Sequence, residues 1–172
     1  MHRVALLALL FPIAEAGGAT WTVDDNGPAD FSSIQDAVDA ASSGDVILVA
    51  PGTYTSTGDE VVKTPGKAIT LRATGTPEET ILDGEGARRV VRCSSEEGAD
   101  TIIEGFTITG GFNDNFGGGI YCSSNSNPTI TDCTISGNTA TGTYSRGGGI
   151  YCDSSSPTIS GCTILDNTAN DG

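Results

Sequence analysis

Two stretches near the end of this chain repeat almost letter for letter. Residues 117–122 read GGGIYC, and residues 147–152 read GGGIYC again, 30 positions on. Residues 128–140, PTITDCTISGNTA, return at 157–169 as PTISGCTILDNTA, 29 positions on. Near-identity at a fixed period means that one structural unit is stacked on itself. The register extends backwards. Val62, Val91, Ile120 and Ile150 are spaced 29, 29 and 30, and two residues beyond each stand Thr64, Cys93, Cys122 and Cys152. A second series runs Ile103, Ile130, Ile159, followed three residues later by Phe106, Cys133 and Cys162. A third runs Ile81, Ile108, Ile135, Ile164. Each turn of chain therefore supplies three short strands, and equivalent strands of successive turns lie side by side.

Few architectures accept that pattern. A βαβ fold needs a helix between parallel strands, and no helical period occurs after residue 50. A sandwich gives no reason for identical residues to recur in register. The expected fold is all-β: a parallel β-helix of about four to five turns, with neighbouring strands about 4.8 Å apart. One helix precedes it, in the region 30–45. Ile34, Ala37, Val38 and Ala41 line one face, Ser32 with Gln35 reads as an S-x-x-Q capping box, and Gly44 stops the helix. A solenoid's first turn exposes unpaired backbone, so this helix is expected to cap it. The repeating turns occupy 61–172. The chain stops at Gly172 without a capping element, which reads as a truncation of a longer repeat.

Residues 1–19 read as a secretory signal peptide, and 20–172 as the mature domain. The signal has a basic start at His2 and Arg3, an apolar run from Val4 to Ala14, and an A-x-A site at Ala14–Ala16, with Ala19 closing an alternative site. The run is too short to span a bilayer, and no later segment is apolar enough. The chain is thus expected to be secreted or at the cell surface. Its formal net charge of −14 argues against nucleic acid, which needs a basic footprint.

At these residues the chain resembles the pectin-lyase-like superfamily of right-handed parallel β-helices. FSSIQDAVDAASSGDVILVAPGTY (Phe31–Tyr54) is similar to the helix-plus-first-strand opening of that superfamily, and TILDGEG (Thr80–Gly86) to its usual first-turn segment. The later ISGNTA and GGGIYC units resemble the repeats of polymorphic outer-membrane proteins and of secreted bacterial β-helix proteins. The resemblance covers roughly 20–172 and implies a fold. It leaves activity open, because polysaccharide lyases, glycoside hydrolases, adhesins and passive repeats share that fold.

No catalytic residue is assigned. The only histidine, His2, lies in the signal segment, which removes histidine-based nucleophilic chemistry and the Gly-His-Gly site of polygalacturonase-like relatives. Pectate-lyase-like chemistry would require carboxylates around Ca²⁺ beside an arginine base, and the acids are scattered. Asp83 and Asp166 share a repeat position with Gly110 and Gly137; Asp132 aligns with Gly105 and Gly161. Asn113, Asp114 and Asn115 form the densest polar loop, read as a turn ahead of a Ca²⁺ ligand set; otherwise no cofactor is expected.

The five cysteines fall on two ladders, Cys93/Cys122/Cys152 and Cys133/Cys162, read as buried thiol stacks with a Cys133–Cys162 disulfide as the alternative. Asn138 and Asn167 stack in the same way and read as a structural amide ladder. Lys63, Arg92, Tyr121 and Tyr151 alternate with inward residues and so point outward. Cations beside aromatic rings suit an extracellular polysaccharide or a cell-surface glycan. The resulting reading is a non-catalytic module for adhesion or glycan contact. A polysaccharide lyase or hydrolase and a purely structural spacer stand as alternatives.

Overall fold

The computed structural model describes residues 17–170. The signal-peptide reading falls outside the described residues except for its last three positions. The described residues form eighteen strands and one helix. Every strand pair is parallel, and the strands form three long sheets and one short row.

The first sheet stacks Thr20–Val23, Val46–Val49, Thr70–Ala73, Ile102–Glu104, Thr129–Thr131 and Thr158–Ser160. The second stacks Gly52–Tyr54, Thr80–Asp83, Thr107–Thr109, Thr134–Ser136 and Thr163–Leu165. The third stacks Glu60–Thr64, Arg89–Cys93, Ile120–Cys122 and Ile150–Cys152. The chain visits the three in turn and rises by one strand per circuit, so parallel pairing needs no crossover helix. From the third circuit on, a two-residue row appears between the second and third sheets: Phe112–Asn113, Thr139–Ala140 and Thr168–Ala169. The hydrophobic period carries no trace of this fourth contact, because two residues show no alternation.

The core is the column enclosed by the coil. Ile47, Leu71, Ile103 and Ile130 fill it from the first sheet, Leu82, Ile108 and Ile135 from the second, and Val62, Val91 and Ile120 from the third; each is at most 1% exposed. Inward apolar residues alternate with outward polar ones, as the pleat requires. The Val62/Val91/Ile120/Ile150 and Ile103/Ile130/Ile159 ladders pair as the spacing predicts. The third ladder is corrected by one residue: Leu82, not Ile81, pairs with Ile108, and Ile81 faces outward opposite Thr107. The slip moves Asp83 beside Thr109 and removes its predicted match with Asp166.

The helix is shorter than the apolar period implies, Ile34–Ala40, and its buried face is Ile34, Ala37 and Val38. The N-cap is Ser33, whose hydroxyl accepts from the Asp36 amide at 3.4 Å. The Ser32–Gln35 capping box is therefore not made, because Gln35 is used elsewhere. Its carboxamide donates to the Lys63 carbonyl at 3.2 Å and accepts from the Lys63 amide at 2.8 Å. Lys63 lies on the first strand of the third sheet. The Gln35 side chain thus supplies the donor and acceptor that a preceding strand would have given. Lys67 Nζ also ties the helix down, donating to the carbonyls of Val38 (3.2 Å) and Asp39 (2.8 Å).

The glycine triplets have a packing cause. A Cβ on Gly118 would overlap the Thr139 carbonyl oxygen, and one on Gly119 would meet Asn138 Cγ at 2.9 Å. The triplet runs against the backbone of the short row and its asparagine ladder, so only hydrogen fits.

Candidate functional site

Alternation along the third sheet sets Lys63, Arg92, Tyr121 and Tyr151 in one outward row, each paired in register with the next. Lys63 is exposed and the other three are half-buried. The structure adds three residues that complete the row: Glu60, Arg89 and Phe116.

Glu60 and Arg89 face each other across the first two strands of this sheet. The Glu60 Oε1 atom accepts from Arg92 Nη1 at 3.1 Å and from Arg89 Nη1 at 3.5 Å, and only 10% of the Glu60 side chain is exposed. Two guanidinium groups on one carboxylate leave this cluster with one excess positive charge. The two arginines divide the work. Arg89 is consumed by the fold: Nε donates to the Gly117 carbonyl (2.8 Å), Nη2 to the Phe116 carbonyl (2.7 Å), and the guanidinium lies 4.6 Å from the centre of the Tyr121 ring. Burial pulls the Arg89 guanidinium below its usual range, Glu60 opposes this, and the neighbouring Arg92 adds to it. Arg92 is freer, with 38% of its side chain exposed. Nε donates to Ser94 Oγ (3.1 Å), and among the described residues Nη2 has no protein acceptor.

The aromatic rings of the row stack on one another. Tyr121 and Tyr151 stack at 6.0 Å between centres with 11° between planes, and Phe116 stacks on Tyr151 at 4.6 Å and 17°. Arg89 comes from the turn before Tyr121 and Tyr151 from the turn after, so the Tyr121 ring lies between them. The rings stack along the solenoid axis and offer edges and hydroxyls outward. Their faces are spent on one another and on Arg89.

Beside the row runs a groove of about 400 Å³ in which three arginines, Arg88, Arg89 and Arg92, face three carboxylates, Asp59, Glu60 and Asp114. A smaller hollow of about 280 Å³ continues it past Phe116 and Tyr121. A larger hollow of about 640 Å³ lies at the start of the helix, between Ser32–Asp36 and Thr53–Thr57. It contains hydroxyls and carboxylates but no cation, and the hydroxyl of its one ring, Tyr54, is already donated to the Ala50 carbonyl at 2.9 Å. The third-sheet groove is therefore the better candidate despite its smaller volume.

The other residues singled out by sequence have structural work. Asn138 is fully buried; its Nδ2 donates to the carbonyls of Ile108 (2.9 Å) and Ser136 (3.1 Å) and to Asn167 Oδ1 (2.9 Å), and its Oδ1 accepts from the Gly111 amide (2.8 Å). Asn167 repeats the pattern with Ile135. Left-handed backbone falls on Gly137, not on Asn138. Asp132 and Asp166 adopt φ of 53° and 52°, which explains why glycine replaces them in neighbouring turns: these positions are set by backbone conformation. Asn113 Oδ1 accepts from the amides of Asn115 and Phe116, both at 2.9 Å, closing a turn. Among the described residues no group of three or more His, Cys, Asp or Glu side chains is placed to hold a metal ion.

The five cysteines are unbridged. Cys93 and Cys122 are fully buried, Cys133 is 1% exposed, Cys162 is half-buried and Cys152 is exposed. The two ladders differ in what their sulfurs face. Cys133 and Cys162 donate to main-chain carbonyls, of Thr131 (3.3 Å) and Ser160 (3.4 Å) respectively. In the other ladder the neighbouring thiols of Cys152 and then Cys93, followed by burial, push the Cys122 thiol up, while Cys122 pulls the Cys152 thiol down.

Parallel strands in register, coiled around one core, place the molecule in the class of β-solenoids. Residues 90–172 match the family described as "right handed beta helix region", in agreement with the parallel β-solenoid of about five turns. It is also 31% identical over 138 residues to a "Cell surface glycoprotein" of Methanothermus fervidus (strain ATCC 43054 / DSM 2088 / JCM 10308 / V24 S). That match takes in 78% of this chain and 20% of the relative, so the chain spans about a fifth of the length of the curated relative it matches. No solved structure matches the chain. Among the described residues no helix is long and apolar enough to cross a membrane.

Proposed function

We propose that this chain is a cell-surface β-helix module, exported by the leader at 1–19, whose third-sheet face makes a non-catalytic contact with a glycan. The printed name of the similar protein from Methanothermus fervidus supports the location. The carrying observation for the contact is the outward row Lys63–Arg92–Tyr121–Tyr151 beside a groove, with the cluster of Glu60, Arg89 and Arg92 holding one excess positive charge. A sugar chain presents hydroxyls and, where acidic, carboxylates. The open Nη2 of Arg92, the Lys63 ammonium and the tyrosine hydroxyls are donors carried by successive strands, whose backbones stand about 4.8 Å apart, which suits a linear polymer lying along the solenoid. Arginine pairs carboxylates in a planar fork and hydroxyls singly.

The test is retention of the purified full chain on immobilised acidic and neutral polysaccharides. Retention that weakens with salt and falls in Arg92→Gln and Lys63→Gln supports the reading. No retention on either class, or retention indifferent to both substitutions, contradicts it.

A further inference from the structure

At the N-terminal end of the coil each long sheet finishes on one outermost strand, and the three edges are treated differently. Alternate residues of a strand turn their N–H and C=O groups to one side, and the residues between turn theirs to the other. In the first sheet the Ala19 and Val23 carbonyls accept from the Val46 and Ala50 amides, which leaves Thr22 facing away from its neighbour. The Asp30 carboxylate accepts from the Thr22 amide at 2.9 Å, and the Thr22 carbonyl accepts from the Phe31 amide at 3.1 Å. In the third sheet Gln35 closes the edge at Lys63 in the same way. The second sheet is the exception. The Gly52 amide donates to the Glu79 carbonyl, so Gly52 and Tyr54 face the strand Thr80–Asp83 and Thr53 faces away. Among the described residues neither the amide nor the carbonyl of Thr53 has a partner.

An unpaired edge is a template for one more strand, and proteins blunt the edges they do not use. Here two of three are blunted. The third opens into the hollow of about 640 Å³ at the start of the helix, and Thr53 and Thr55 beside it are exposed. The walls of that hollow select its occupant. Ile34, Tyr54 and Val61, all buried, give it an apolar side, and Tyr54 heads the inward column that continues through Leu82 and Ile108. Asp25 and Asp36 are its charged groups, and no lysine or arginine lines it. A sugar polymer has no regular ladder of N–H and C=O groups to offer Thr53. An extended peptide has both, at the spacing that each turn of this coil already uses.

We propose that the Gly52–Tyr54 edge docks an extended segment of another protein, added in parallel as one further rung. The segment places an apolar residue over Tyr54 and carries lysine or arginine close by to meet Asp25 and Asp36. Its main chain accepts from the Thr53 amide and donates to the Thr53 carbonyl. None of Lys63, Arg92, Tyr121 and Tyr151 lines this hollow, so the proposal stands or falls independently of the glycan reading.

The experiment is titration of the full chain with a dye-labelled Lys-Thr-Val-Thr-Lys peptide, read by fluorescence polarisation and by hydrogen exchange at the Thr53 amide. A Glu-Thr-Val-Thr-Glu peptide is the control. Thr53→Pro removes the outward N–H without touching a bond to Thr80–Asp83, whereas Thr53→Ala keeps it. The lysine peptide should bind and slow exchange at Thr53 roughly tenfold or more. Its affinity should fall roughly tenfold in Thr53→Pro and stay as wild type in Thr53→Ala. Asp36→Asn should weaken binding and lessen its salt dependence. If Thr53→Pro does not fold, exchange at Thr53 in the wild type decides. The proposal is overturned by no binding, by unchanged exchange at Thr53, by equal affinity in Thr53→Pro and Thr53→Ala, or by equal binding of the glutamate peptide. Self-association of the chain that Thr53→Pro abolishes would assign the edge to a second copy and overturn it as well.

Discussion

Before residue 100, the polar groups at sheet edges and corners are met by individual side chains. Gln35 completes the edge at Lys63. Asp45 gathers the amides of Ala19 (2.7 Å) and Ser42 (2.8 Å) and the Trp21 indole (3.0 Å). Glu97, 1% exposed, accepts from the Thr64 hydroxyl and from the amides of Gly66 (3.2 Å) and Ser95 (2.9 Å). After residue 100 the same duties pass to ladders: Asn138 on Asn167, Thr134 on Thr163, glycine triplet on glycine triplet. A turn with like neighbours on both sides can solve each problem once and repeat the answer. Among the described residues the first turns have no preceding turn to copy, so each of these groups is met by its own residue. The outward row of the third sheet crosses this boundary: its first half is ionic and its second half aromatic.

The sharpest way to break the comparison is to put a side chain into a ladder. Gly118→Val forces a Cβ into the Thr139 carbonyl and should cost on the order of 3 kcal/mol, read as a lowered denaturant midpoint. Gly58→Val meets only the Ser56 hydroxyl at 3.3 Å and the Glu60 carbonyl at 3.7 Å, and should shift the midpoint little. Equal effects would mean that the triplet is not packed as described. Next in size is Asn138→Ala, which strips bonds from several buried main-chain groups and should cost about 2 kcal/mol; Asn167→Ala, at a half-buried rung, should cost less. Smaller again is Gln35→Ala, about 1 kcal/mol, and its specific signature is faster hydrogen exchange at the Lys63 amide. Unchanged exchange there would remove the edge-completing role of Gln35.

The smallest effect is one of pH. The Ser42 amide and the Trp21 indole, opposed by burial and helped by the Ala19 amide and Lys67, hold the Asp45 carboxyl below its usual range. Its folded pKa is lower than the unfolded value of about 3.9. The stabilisation is therefore complete above that value and disappears as pH falls through the lower folded pKa. Asp45→Asn should flatten this part of the acid unfolding profile, followed by Trp21 fluorescence. An unchanged slope would show that another carboxylate carries it.

Much of the solenoid was legible because its ladders repeat. Inward Val62, Val91, Ile120 and Ile150 declare their register by spacing alone, and the GGGIYC copies fix the late turns. The early second sheet misled by one residue, since Ile81 and Leu82 are equally apolar and only burial separates them. Gln35 read as a capping residue because S-x-x-Q is a local pattern, whereas its true partner, Lys63, is 28 positions away. Glu60 carries its signal in spacing: it stands 29 residues before Arg89, one repeat period. Phe116 has no repeat partner of its own kind, and its stacking on Tyr151 depends on where a loop folds. The outward row was found by alternation, but ring orientation was not, because period two gives direction and not the plane of an aromatic side chain.

In the proposed function, contact with a glycan belongs to the third-sheet face. Arg72 on the first sheet provides a matched control: it is exposed, paired with Glu104 at 2.7 Å, and lies outside the row. On a polysaccharide retained by the wild type, the dissociation constants of Arg92→Gln and Arg72→Gln should be measured side by side. The account predicts a loss of roughly tenfold for Arg92→Gln, the scale of one charge-assisted hydrogen bond, and none for Arg72→Gln. Equal losses, or a loss confined to Arg72→Gln, would contradict it.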